Sequence, residues 1–142
     1  MKIEEQINEY TQNLPEPKRM DLQALHDIIL SLNPNAKLWF LTGKNSEGKV
    51  VSNPNIGYGE YIINYADGKT KPFYQVGLSA NTTGISVYIM GIEDKNYLIN
   101  AYENKIGKAK LTGYCIRFKA FKDINIDTLK EAIRFGFENH SK

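Results

Sequence analysis

A single cysteine, Cys115, is all that this chain of 142 residues contains, which excludes an internal disulfide and any cysteine-rich zinc site. No stretch approaches the ~18 consecutive apolar residues that a membrane-spanning helix needs. The start, MKIEEQINEY, lacks the basic-then-apolar pattern of a secretory signal. Together these absences predict a cytoplasmic protein in a reducing setting. Net charge is scarce as well: 18 Lys and Arg against 16 Asp and Glu leave +2, too little to argue for nucleic acid or an acidic membrane as partner. Residues 1–55 carry 6 basic and 7 acidic side chains and residues 56–142 carry 12 and 9, so the balance shifts from −1 to +3 along the chain.

What the chain does have is strand and turn grammar, concentrated between Ile56 and Ile92. IGYGEYIINY, Asp67-Gly68 and TKPFYQVGLSA read as a hairpin, because Asp-Gly supplies the positive φ angles of a two-residue primed turn. Setting Ala66 opposite Lys69 pairs Tyr65 with Thr70, Ile63 with Pro72, Tyr61 with Tyr74 and Gly59 with Val76 on one face. The turn Asn81-Thr82-Thr83-Gly84 then sets Ala80 opposite Ile85, Leu78 opposite Val87 and Val76 opposite Ile89. Both turns predict one apolar core face, and a slip of one residue would send these side chains to the other side. The opposite face is expected to carry Tyr58, Glu60, Ile62, Asn64, Phe73, Gln75, Gly77, Ser79, Ser86, Tyr88 and Met90, a mixture suited to binding.

Around this meander, Ile3, Ile7, Tyr10 and Leu14 predict a helix over residues 2–13, ended by Pro15. Leu22, Leu25, Ile29 and Leu32 stripe a second helix that stops near Asn33-Pro34. Leu38-Trp39-Phe40-Leu41 is a short apolar run that fits either a strand or an anchoring turn. Residues 42–55, rich in Gly, Ser, Asn and Lys, read as a surface loop or hairpin excursion. A further helix is predicted over residues 94–106 with Gly107 ending it. Alternation in Tyr114-Cys115-Ile116-Arg117-Phe118-Lys119 predicts a later strand, with Tyr114, Ile116 and Phe118 on its apolar side and Cys115, Arg117 and Lys119 on its polar side. Ile126, Leu129, Ile133 and Phe137 stripe a C-terminal helix that Asn125 is placed to cap, followed by a frayed tail after Glu138. The length suits one domain over residues 1–142, large enough to bury roughly two thirds of its unfolded surface. The fold class predicted is α+β, a mainly antiparallel sheet of a three-stranded meander plus a later strand, with N- and C-terminal helices on one face.

The order and spacing of several segments resemble the YdhG-like family of small, mostly bacterial domains of unknown function. The segments are Leu14-Pro15-Glu16-Pro17, Ile56-Gly57-Tyr58-Gly59-Glu60-Tyr61, Tyr65-Ala66-Asp67-Gly68-Lys69, Ser86-Val87-Tyr88-Ile89-Met90, and Thr112 to Lys119 followed by Asp127 and a helix. The resemblance implies helices packed on one face of a mainly antiparallel sheet. It also implies, for some members, a frataxin-like role in iron binding and delivery through acidic surface oxygens. The residues here that match such a role are Glu4, Glu5 and Glu9 on the first helix.

Catalytic patterns are weaker. Gly43-Lys44 has Leu38 where a phosphate loop needs its first glycine and Asn45 where it needs Ser or Thr. His26 lies among Leu22, Ala24, Leu25 and Ile29 and reads as a histidine flanking a packed helix face. Cys115 reads as a small packed side chain on a strand; any His-paired thiol chemistry would have only His26 or His140 to draw on. The best-argued site is the outer sheet face, where a binding module would take a small anionic molecule or a partner segment. Arg117 and Lys119 would supply charge, Tyr58 and Tyr88 stacking surface, and Glu60 and Gln75 hydrogen bonds. Two alternatives are kept: iron handling through Glu4, Glu5 and Glu9, and a homodimer that buries the outer face without a ligand.

Overall fold

A computed structural model describes residues 2–81 and 84–138. The chain folds as α1 (Ile3–Gln12), α2 (Lys18–Leu32), β1 (Leu38–Leu41), β2 (Asn55–Tyr58), β3 (Tyr61–Asn64), β4 (Thr70–Phe73), β5 (Val76–Asn81), β6 (Gly84–Ile89), α3 (Tyr97–Tyr102), β7 (Lys110–Leu111), β8 (Cys115–Phe118) and α4 (Ile126–Glu138). Six strands form one sheet in the order β1-β2-β5-β6-β8-β7, and β3 and β4 form a separate two-stranded ribbon. Every pairing is antiparallel. This is the expected α+β architecture, with α1, α2 and α4 packed against the sheet.

The β5–β6 ladder pairs Val76 with Ile89, Leu78 with Val87 and Ala80 with Ile85, the register that the spacing around Asn81 and Gly84 predicts. The tip of that turn, Thr82-Thr83, lies outside the described residues. All six of these side chains are buried, with Leu22, Leu25 and Ile29 of α2 and Leu129, Ala132 and Ile133 of α4 in the same core. Strand β8 joins β6 as the alternation of Cys115 to Phe118 predicts, so that Val87 faces Ile116 and Tyr88 faces Cys115. At the start of α4, Asn125 Oδ1 accepts the Thr128 N–H at 3.1 Å, satisfying a donor that the first helical turn would otherwise leave open.

The first hairpin forms in a different register. Tyr61 pairs with Phe73, Ile62 with Pro72, Ile63 with Lys71 and Asn64 with Thr70, one residue away from the two-residue turn. The Tyr65 N–H donates to the Lys69 carbonyl and the Gly68 N–H to the Tyr65 carbonyl, leaving Ala66, Asp67 and Gly68 as a three-residue loop with Gly68 at φ 86°. Asp67 Oδ1 also accepts the Lys69 N–H at 3.0 Å. A turn that ends in a left-handed glycine forms a bulge and consumes one residue more than the primed turn. The slip moves Tyr58 to the other side: paired with Val76 and Leu38, it is fully buried in the core.

Other expectations change at element ends. Leu38–Leu41 is a strand, paired with β2 at the edge of the sheet. The segment 42–55 is a small excursion in which Lys44 bridges Val50 and Asn45 Oδ1 accepts the N–H groups of Glu47 and Lys49. The helix predicted over 94–106 is limited to Tyr97–Tyr102, although Leu98, Tyr102 and Ile106 all reach the core. Tyr114 leaves the strand alternation and stands 54 % exposed, because the Thr112 hydroxyl takes the N–H groups of Tyr114 and Cys115 and turns the chain there. The tail after Glu138 lies outside the described residues.

Candidate functional site

The outer face of the sheet is partly covered by its own chain. Tyr74 lies flat across β2 and β5: a Cβ built on Gly57 would sit 2.3 Å from its ring and one on Gly77 2.6 Å from it. These two glycines, directly paired with each other, leave the floor on which the ring rests. Phe73 stacks on Tyr74 at 4.2 Å and Trp39 meets Phe73 edge-on at 6.1 Å. Further along, Ser79 donates to the Pro54 carbonyl at 2.7 Å, so the end of the 42–55 excursion seals that corner. The open part of the face is therefore confined to β6, β8 and β7.

The residues predicted for an outer-face site separate accordingly. Tyr58 faces the helices, and its hydroxyl is 2.7 Å from His26 Nδ1. Burial raises the phenol pKa well above its ordinary value and lowers that of the imidazole, so two neutral groups share this hydrogen bond. Glu60 is exposed at the bend after β2, paired with Lys37 at 3.0 Å. Gln75 reaches the other way, its Nε2 donating to the Phe137 carbonyl at the end of α4. The bend at Gly59, with φ 80°, breaks the alternation that would have kept Glu60 and Gln75 on one face. Its N–H donates to the Lys37 carbonyl and its carbonyl accepts the Trp39 indole N–H at 2.8 Å, so the bend is held by β1.

Tyr88, Arg117 and Lys119 lie where the alternation predicts or close to it. Tyr88 is half-buried opposite Cys115, with its ring near-parallel to Tyr114 at 6.1 Å. Arg117 is exposed and in register with both Ser86 and Lys110. Cys115 is buried, and desolvation raises its thiol pKa against smaller lowering effects from the Ser86 hydroxyl and Arg117. That keeps sulfur in the thiol form, which is the weaker nucleophile.

A feature that the sequence reading missed completes the site. The β7–β8 ladder is only two pairs long, Lys110 with Arg117 and Leu111 with Ile116. Before it, the chain turns aside: the Lys108 N–H donates to the Asp123 carbonyl at 3.0 Å and Gly107 bridges Ile124. The divergence opens a groove of about 460 Å³ lined by Lys108, Lys110, Arg117 and Lys119, with Ala109 and Phe118 as its apolar part and Asp123 at its border. Among the described residues none of the four cations is in an ion pair. The signal in the sequence was the matched spacing of Lys-Ala-Lys and Arg-Phe-Lys, which puts cations at alternate positions on two neighbouring segments. It was hidden because Lys110-Leu111 is too short to read as a strand.

Glu4, Glu5 and Glu9 are exposed on α1. Among the described residues no group of three or more His, Cys, Asp or Glu side chains is placed to hold a metal ion. No helix among them is long and apolar enough to cross a membrane. Comparison of the chain with family models, with curated proteins and with solved structures found no match.

Proposed function

We propose that this protein is a binding module for a small anion, held in the groove between Lys108–Lys110 and Arg117–Lys119. The observation that supports it is the pairing of Lys110 with Arg117 directly across two strands, flanked by two more cations in the same groove. Like charges placed directly opposite in a sheet are destabilising, and an anion between them converts that repulsion into charge-assisted hydrogen bonds. Arg117 offers a planar fork of donors and the lysines mobile point charges, a combination suited to phosphate or carboxylate. No observation favours iron or a second copy of the chain over this ligand class.

The test is thermal unfolding at low ionic strength with inorganic phosphate, sulfate or citrate, compared with chloride at equal ionic strength. A ligand that binds the native state raises the midpoint by mass action. One of the multivalent anions should raise it in the wild-type protein and fail to do so in the Lys110→Ala/Arg117→Ala variant. Equal midpoints in all four salts, or a shift that survives the double substitution, would remove the groove as the site.

A further inference from the structure

We infer that the anion is a nucleotide, with its phosphate in the basic groove and its base stacked on Tyr114. This rests on the anion reading above and names the rest of the ligand. Tyr114 is 54 % exposed, an unusual state for a large aromatic side chain that precedes a central strand. One ring face is turned to Tyr88, and the exposure leaves room for a second planar group. Tyr88 in turn faces Cys115, two residues from Arg117 on the same strand face. The aromatic pair and the groove are thus parts of one surface.

The spacing suits this ligand. A strand rises about 3.4 Å per residue, so the three steps from Tyr114, just before β8, to Arg117 span at most roughly 10 Å of backbone. A base joined to phosphate through a sugar spans such a gap, with the planar group on the tyrosine and the charge on the arginine. Base stacking on an aromatic side chain is tolerant of which base is bound, so the geometry names the class and not the base.

The same surface restricts the ligand to a single stacked base. Tyr74 is buried over Gly57 and Gly77, Phe73 is stacked on Tyr74, and Trp39 has Lys37 Nζ over it at 4.7 Å. Those rings are already occupied, so the aromatic band does not continue as a series of stacking platforms. A mononucleotide therefore fits better than a single-stranded nucleic acid, which needs successive rings along a cationic track.

The experiment is calorimetric titration of the full chain at low ionic strength with AMP, ribose 5-phosphate and inorganic phosphate. AMP should bind roughly tenfold tighter than ribose 5-phosphate, the difference that one stacked base supplies. Tyr114→Ala should erase that difference while leaving ribose 5-phosphate binding intact, and Tyr114→Phe should keep it. Lys110→Ala/Arg117→Ala should abolish binding of all three. Equal affinity for AMP and ribose 5-phosphate would overturn the nucleotide while leaving the anion site standing. No binding of any of the three would overturn both. An oligonucleotide that binds far more tightly than AMP, with an affinity insensitive to Tyr114→Ala, would overturn the single-ring site.

Discussion

Lys110 and Arg117 face each other across the β7–β8 ladder, a like-charge pair at the one place where that ladder is about to open. Replacing Lys110 with Glu makes the pair complementary. The Lys110→Glu variant should be more stable than wild type in ligand-free buffer, by about 0.5 kcal/mol, measured by urea unfolding. The same variant should lose the stabilisation by multivalent anions. A gain in stability accompanied by loss of the anion response is the signature of residues kept for binding.

Tyr74 and its glycine floor should behave as one unit. Gly57→Ala puts a methyl carbon 2.3 Å from the Tyr74 ring, too close for any real contact, and should destabilise by about 2 kcal/mol in chemical denaturation. In a Tyr74→Ala background the same substitution should cost less, because the ring atoms it strikes at 2.3 and 2.6 Å are gone and only the Cβ of residue 74, at 2.8 Å, is left. Additive effects in this double-mutant cycle would show that the ring does not rest on the glycines.

The Tyr58–His26 pair predicts a pH dependence with a definite sign. The folded-state pKa of His26 lies below the ordinary 6.5 because burial disfavours the imidazolium, so at mildly acidic pH the unfolded chain binds more protons than the folded one. Stability should fall as pH drops through 6.5 and level off only below the folded-state pKa, by roughly 1.4 kcal/mol for each unit between the two values. Urea unfolding from pH 8 to pH 4.5 should show this loss, and His26→Gln should flatten that part of the curve. An unchanged slope in His26→Gln would assign the dependence to other groups.

Tyr10 closes the end of the sheet where β2 and β5 separate. Its hydroxyl accepts the Ala80 N–H at 3.0 Å and lies 3.3 and 3.4 Å from the carbonyls of Ala80 and Pro54. Tyr10→Phe keeps the ring but leaves a largely buried N–H without its acceptor, and should cost about 1–3 kcal/mol. Amide hydrogen exchange at Ala80 should accelerate in the variant relative to the amides of Leu78 and Val87.

Several of these features are legible in the sequence. The β5–β6 register followed from counting outward from Asn81 and Gly84, because a strand's side chains alternate strictly and only one count buries Val76, Leu78, Val87 and Ile89 together. The cap at Asn125 followed from the helical stripe behind it. That β8 would present Arg117 outward followed from its alternation with Ile116 and Phe118.

The site itself was decided by contacts between segments distant in the chain. Asp67-Gly68 is compatible with a two-residue or a three-residue loop, and the choice depends on which register lets Tyr58 enter the core and reach His26, 32 residues away. Glu60 and Gln75 were separated by the bend at Gly59, held in place by Lys37 and Trp39. Lys108 and Lys110 met Arg117 and Lys119 only because Gly107 and Lys108 are tied to Asp123 and Ile124. Local alternation sets which way a side chain points within a strand. Which strands lie side by side, and where they part, is set by the burial of the whole core and by backbone groups finding their partners.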